Sequence, residues 1–235
     1  QLLDGLNLPY YTVVGNHDNG SGEGQTEKET AYRKIFGDRF HYTFTHKGLG
    51  FVIVNNSGTA TPDLATTAVE ERDRKFIEHL ELHHDRPVIV ACHVPIVAMR
   101  EEGALIESFG LTTYKVAEPG MAQILQTHHH HVAAVISGHV HLSGVVHEYD
   151  IAHIGVAGTA GFPHDVALHT VYPDALETRF ISLPSDILEP TTNIHKSPTT
   201  GLDATDATHT DYMSYLRGNA NERFVRTPFK IPLRD

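Results

Sequence analysis

Three short apolar runs in this chain end in the same way, on a glycine or a histidine followed by side chains that can hold a metal. They are Tyr11-Thr12-Val13-Val14 ahead of Gly15-Asn16-His17-Asp18, Val88-Ile89-Val90-Ala91-Cys92 ahead of His93-Val94-Pro95, and Val132-Ala133-Ala134-Val135-Ile136-Ser137 ahead of Gly138-His139-Val140-His141. Runs this short and this rich in β-branched residues predict strands buried on both faces, which parallel sheets covered by helices require. In open α/β sheets ligands gather in the crevice beyond the carboxyl ends of the strands. The pattern therefore confines the chain to a layered α/β fold with its chemistry at one sheet edge.

The remaining elements follow from period and punctuation. Leu2, Leu3 and Leu6 read as the last turn of a helix, and Pro9 opens a strand over Tyr10–Val14. A helix is predicted over Glu27–Phe36, a hairpin from His41–Thr45 and Phe51–Val54 around Lys47–Gly50, and an amphipathic helix over Thr66–His83 with Leu64, Val69, Phe76, Ile77 and Leu80 on one side. Another helix starts after Pro119 and runs into the tract His128–His131. Val145–Tyr149, Ile151–Val156, Val166–Tyr172 and Thr178–Leu183 read as strands of a second sheet. Residues Ala98–Glu118 have no period and read as a loop over the crevice. Beyond Leu183 the pattern dissolves into Pro, Thr, Asp and Asn, so residues 184–235 are expected to be an extended or partly disordered tail behind one domain over residues 1–183.

Composition narrows the function classes. A formal charge of -11 argues against a nucleic-acid-binding patch, no apolar run is long enough for a membrane-spanning helix, and the single cysteine, Cys92, rules out an internal disulfide framework. The outlier is histidine, 19 of 235 residues. Most of these must be ordinary, so position has to choose among them. Asn16, His93, His139 and His141 stand at strand ends; imidazole nitrogen suits zinc, iron or manganese, and an amide oxygen suits a harder ion. His139 and His141 are two apart, which on an extended segment points both to one side. A lone His-x-His pair is more often structural than ligating, but three strand ends obeying one rule point to a metal site.

The other candidates read differently. His83 and His84 at a helix carboxyl end suit partial positive charge, and His128–His131 reads as a solvated connector. Arg100 is a surface arginine or a phosphate donor. His153, His164 and His169 read as structural or exposed, and Cys92 as an inert, small hydrophobe facing away from the site.

Gly15-Asn16-His17-Asp18, His93 before Val94-Pro95, and Gly138-His139-Val140-His141 resemble, in order, the last three signature blocks of the calcineurin-like metallophosphoesterases. The resemblance spans about Leu8–Leu183 and implies a two-sheet β-sandwich flanked by helices, with two divalent or Fe/Mn/Zn-type metal ions. It implies that Asn16, His93 and His139 bind one metal and His141 the other. His17 would then protonate the leaving oxygen of a small-molecule phosphoester, with Asp18 bonded to its imidazole. The two blocks that the family places before the asparagine block, Asp-x-His and Gly-Asp-x-x-Asp, have no counterpart in Gln1–Tyr11. Charge makes the same complaint independently: all four proposed ligands are neutral, whereas two close dications need anionic ligands to offset their repulsion. The expectation is a domain lacking its first strands, inactive as it stands, from a parent that hydrolyses phosphoesters. Two further readings are a mononuclear zinc hydrolase and a non-catalytic metal-binding or interaction protein with a degenerate phosphoesterase site.

Overall fold

In a computed structural model of the chain, the structure describes residues 3–18, 25–57, 66–100, 115, 119–159, 163–184 and 216–233. After a 3-10 turn at Leu3–Leu6 come α1 (Gln25–Phe36), β1 (Tyr42–His46), β2 (Leu49–Ile53), α2 (Thr66–Glu81), β3 (Val88–Ala91), α3 (Gly120–His128), β4 (Val132–Ser137), β5 (Gly144–Glu148), β6 (Ile151–Gly155), β7 (Asp165–Tyr172), β8 (Ala175–Ser182) and β9 (Phe224–Pro228). The larger sheet has the order β1-β2-β3-β4-β6-β5, and β7-β8-β9 form the smaller one. β2, β3, β4 and β6 run parallel, with antiparallel β1 and β5 at the edges. Their carboxyl ends therefore share one edge.

Both faces of the larger sheet are covered, as the apolar runs require. Val52, Val88, Val90, Val132 and Val135 pack with Phe76 and Leu80 of α2 and Met121, Ile124 and Leu125 of α3. On the opposite face Leu49, Ile89, Ala134, Ala152 and Ile154 meet Leu176 and Phe180 of the second sheet. Alternation would break at β4, but the β3–β4 register skips Ala133, with Val88 opposite Val132 and Ile89 opposite Ala134. That bulge returns Val132 and Val135 to the helix face and Ala134 to the other.

Several expectations need correction. The β5 and β6 segments join the first sheet, not the second. β6 is buried along its whole length, with Ile151 on the helix face and Ala152 and Ile154 on the other, and such a strand must lie in the middle layer. The hairpin turn to β5 is tight, with Tyr149 and Asp150 both at positive φ. Residues 10–14 are not a strand, since side chains hold them instead of a ladder: Tyr42 Oη donates to Thr12 O at 2.7 Å and Tyr11 stacks on Phe44 at 3.8 Å. Within the stretch expected to be a tail, β9 adds to the second sheet. The helix α2 stops at Glu81, and His83, expected to carry charge, is buried against Thr43 Oγ1 with its pKa lowered by burial. His128 and His131 are buried rather than solvated. Cys92 behaves as expected, its thiol pushed up to about 12 by burial. Leu64, the loop at 19–24 and most of Ala98–Glu118 lie outside the described residues.

Candidate metal centre

The parallel strands deliver the three sequence blocks to one place. Backbone bonding continues past the strand ends: Val54 N–H donates to Ala91 O, Cys92 N–H to Ile136 O, and Gly138 N–H to His93 O, each at 3.0 Å. The His93 and Gly138 turns are thus stitched directly together. The Gly15–Asp18 turn approaches from the side, and a Cβ on Gly15 would lie 3.3 Å from His93 Cε1 and 3.2 Å from Asp18 Oδ2. A Cβ there would press on both side chains, so the missing side chain eases the close approach of this backbone to the imidazole.

Asn16 and His93 face each other, with His93 Nε2 2.8 Å from Asn16 Oδ1. His139 stands edge-on to His93, ring centroids 5.1 Å apart. Burial, then the nearby His139, His17 and His141, hold the His93 imidazole down at about 4. Burial followed by His17 also lowers His141. Both rings are therefore neutral at pH 7, the form that ligates metal. His17 and His141 are exposed at the mouth, whereas Asn16, His93 and His139 are half-buried.

The pair His139 and His141 is not on an extended segment. Both have positive φ, 68° and 50°, with the buried Val140 between them and Val140 N–H donating back to Gly138 O at 2.8 Å. Two left-handed non-glycine residues in three positions are uncommon, and such backbone clusters at functional sites. Asp18 bonds the backbone of its own turn. Its Oδ2 accepts Gly15 N–H at 3.1 Å, closing the turn, and among the described residues no hydrogen bond joins it to His17.

Two supports had no sequence signal strong enough to single them out. The side chain of Asn56, just beyond β2, bonds the backbone of the His93 turn. Arg100 donates to Met99 O at 2.8 Å, Ser143 O at 3.0 Å and Glu222 Oε1 at 2.7 Å. With Ser143 N–H donating to Leu216 O at 2.8 Å, this ties residues 216–222 to the loop that carries His139 and His141. An arginine and a glutamate 122 positions apart cannot be paired from sequence.

His93 Nε2 lies 2.8 Å from Asn16 Oδ1 with the His139 ring beside them, so imidazole nitrogens and an amide oxygen, donors of the kind that could hold a first-row dication, share one place. Among the described residues no three or more His, Cys, Asp or Glu are grouped so as to hold an ion, and no carboxylate bridges the rings.

A model of the family described as calcineurin-like phosphoesterase matches residues 1–143, which include all three sequence blocks. No curated protein matches the sequence. Among solved structures, the chain is similar to a dimetal phosphatase from Danio rerio, with 14% identity over 76% of this chain and 71% of that one and a TM-score of 0.57. It is also similar to the purple acid phosphatase PPD1 from yellow lupin seeds, with 12% identity over 74% of this chain, 38% of that one and a TM-score of 0.52. At these identities the likeness is one of fold. No helix among the described residues is long and apolar enough to cross a membrane.

Proposed function

The chain belongs to the calcineurin-like phosphoesterase family, and from that premise we propose that it is a metal-binding member whose site does not work as a two-metal hydrolase. One observation carries this reading: Asn16, His93 and His139, the side chains gathered at the strand ends, are one amide and two imidazoles and bring no carboxylate. A dication among them gains no anionic partner, and a second one nearby would meet uncompensated repulsion. On this reading His141 and His17, exposed at the mouth, are free to meet a ligand of the bound ion, and Asp18 acts only by fixing the turn between Gly15 and His17.

A second reading is the two-metal phosphoesterase, supported by the nearness of His139, His17 and His141 to His93, whose pKa they help burial to lower, and of His17 to His141. There Asn16, His93 and His139 would hold one ion and His141 the other, and His17 would carry the proton for the leaving oxygen of a small-molecule phosphoester. Among the described residues no carboxylate stands between those rings to bridge such a pair of ions.

Titrating the 235-residue chain with Zn2+ or Mn2+ separates the two. The expected result is a single bound equivalent and no hydrolysis of nitrophenyl mono- or diesters above buffer. Two equivalents, together with turnover that His17→Ala abolishes while metal content stays constant, would overturn the proposal in favour of the second reading.

A further inference from the structure

We propose that Asn56 is the positioning residue for His93, fixing the imidazole opposite Asn16 by gripping the turn that carries it; this rests on the reading of Asn16, His93 and His139 as a metal site. Asn56 is fully buried, 0% exposed, three residues past the end of β2. Its Oδ1 accepts two backbone N–H groups, His93 at 3.1 Å and Val94 at 2.9 Å, and its Nδ2 donates to Val94 O at 2.7 Å. One side chain thus serves two donors and one acceptor on adjacent residues of a single turn.

Backbone bonding to the Gly138 turn reaches only as far as His93 O, and among the described residues the His93 and Val94 amides and the Val94 carbonyl have no backbone partner. Val94 is 0% exposed, so water does not reach its amide. Pro95 follows and brings no N–H. Buried amides left unpaired are costly, so the turn needs a side chain that both accepts and donates, and of the short side chains only asparagine offers a fixed amide with both. Aspartate keeps the acceptors but sets a carboxylate against the Val94 carbonyl. Asn56 is itself held: Asn55 Oδ1 accepts Ser57 N–H at 3.1 Å and Ser57 Oγ–H at 2.7 Å, closing a turn around it.

The consequence reaches the metal through one rigid link. The turn sets the direction of the His93 Cα–Cβ bond, and the ring then meets Asn16 Oδ1 at 2.8 Å. Groups that orient metal ligands typically change affinity by about 10–100-fold when removed. The substitutions Asn56→Ala and Asn56→Asp in the full chain test this, with Val135→Ala as a core variant that weakens the fold away from the turn. Amide hydrogen exchange is read without metal, and Zn2+ affinity is read by calorimetry. Asn56→Ala is expected to speed exchange of the His93 and Val94 amides at least tenfold more than that of Val90 and Val135, and to weaken Zn2+ about 10–100-fold. Asn56→Asp, which keeps both acceptor contacts, is expected to fall between it and the parent, and decides the matter if the alanine variant does not fold.

Exchange that rises uniformly over the sheet, or an equal loss of Zn2+ affinity in Val135→Ala, would reduce Asn56 to a general stabilising role and overturn the proposal. If the parent chain binds no Zn2+, the metal reading fails by itself. The exchange pattern without metal still decides whether Asn56 holds the His93 turn.

Discussion

Asn16 and Asp18 lie two positions apart, and their chemistry is divided in a way the site could have reversed. The carboxylate closes the turn onto Gly15 N–H, while the amide, which brings no charge, faces His93. An anionic group at position 16 would supply the missing negative charge without altering shape. Asn16→Asp is therefore expected to tighten Zn2+ binding by about tenfold or more, and Asn16→Ala to weaken it, as measured by competition with a chromogenic chelator. If the aspartate variant binds no better than the parent, the shortage of anionic donors is not what limits the site. At this scale the sequence marks the residues that meet at the strand ends, because Asn16, His93 and His139 each follow an apolar run. It does not reveal their supports. Asn56 sits in an Asn-Asn-Ser turn that has many mundane explanations, and nothing in Gly-His-Val-His announces that both histidines take left-handed backbone.

Among the elements, β9 has the least sequence signal and a large structural duty. Of its five residues only Thr227 is buried, so no alternation marks it, and it pairs along β8 from Ala175 to Arg179. β7 and β8 are legible as short strands because turn residues bound them; which sheet a strand joins depends on what covers both faces, which is not a local property. The residue before β9, Arg223, donates to Asp165 Oδ2 at 2.8 Å and to Oδ1 at 3.2 Å. Asp165 is 0% exposed. Burial alone would raise its pKa, but hydrogen bonds from Arg223, Ser182 and Ser143 outweigh it and hold the carboxyl below its ordinary value. Removing the guanidinium leaves a buried charge with too few partners. Arg223→Ala is expected to cost about 3 kcal/mol in urea unfolding, whereas replacing Asp165 and Arg223 together with apolar residues should cost less. Comparable losses in the single and double variants would mean that the pair is not coupled.

Across the whole molecule the abundance of histidine becomes a statement about acid. His41, His131, His153 and His169, all away from the strand-end site, are held down at about 4, in each case chiefly by burial. Their ordinary value is 6.5. Between pH 6.5 and 4 the unfolded chain takes up protons at these rings that the folded chain refuses, so stability is full above pH 6.5 and declines as pH falls through that window. Each fully coupled ring contributes up to ~1.4 kcal/mol per pH unit. Melting temperature is expected to drop steeply from pH 7 to pH 5, and His131→Gln and His153→Gln to flatten that slope relative to the parent. A slope unchanged in both variants would place the acid sensitivity elsewhere.

The tie between Arg100 and Glu222 also bears on how this protein is made. The loop holding His139 and His141 leaves the ribosome well before its brace exists, since Glu222 follows Gly155, where the six-stranded sheet ends, by about 70 positions. At common translation speeds that interval is on the order of ten seconds. For that time the six-stranded sheet can assemble with its histidine turns unbraced on one side. The nascent chain thus passes through a stage in which the fold is largely present while the candidate centre is still loose, and a stretch synthesised later is what finishes it.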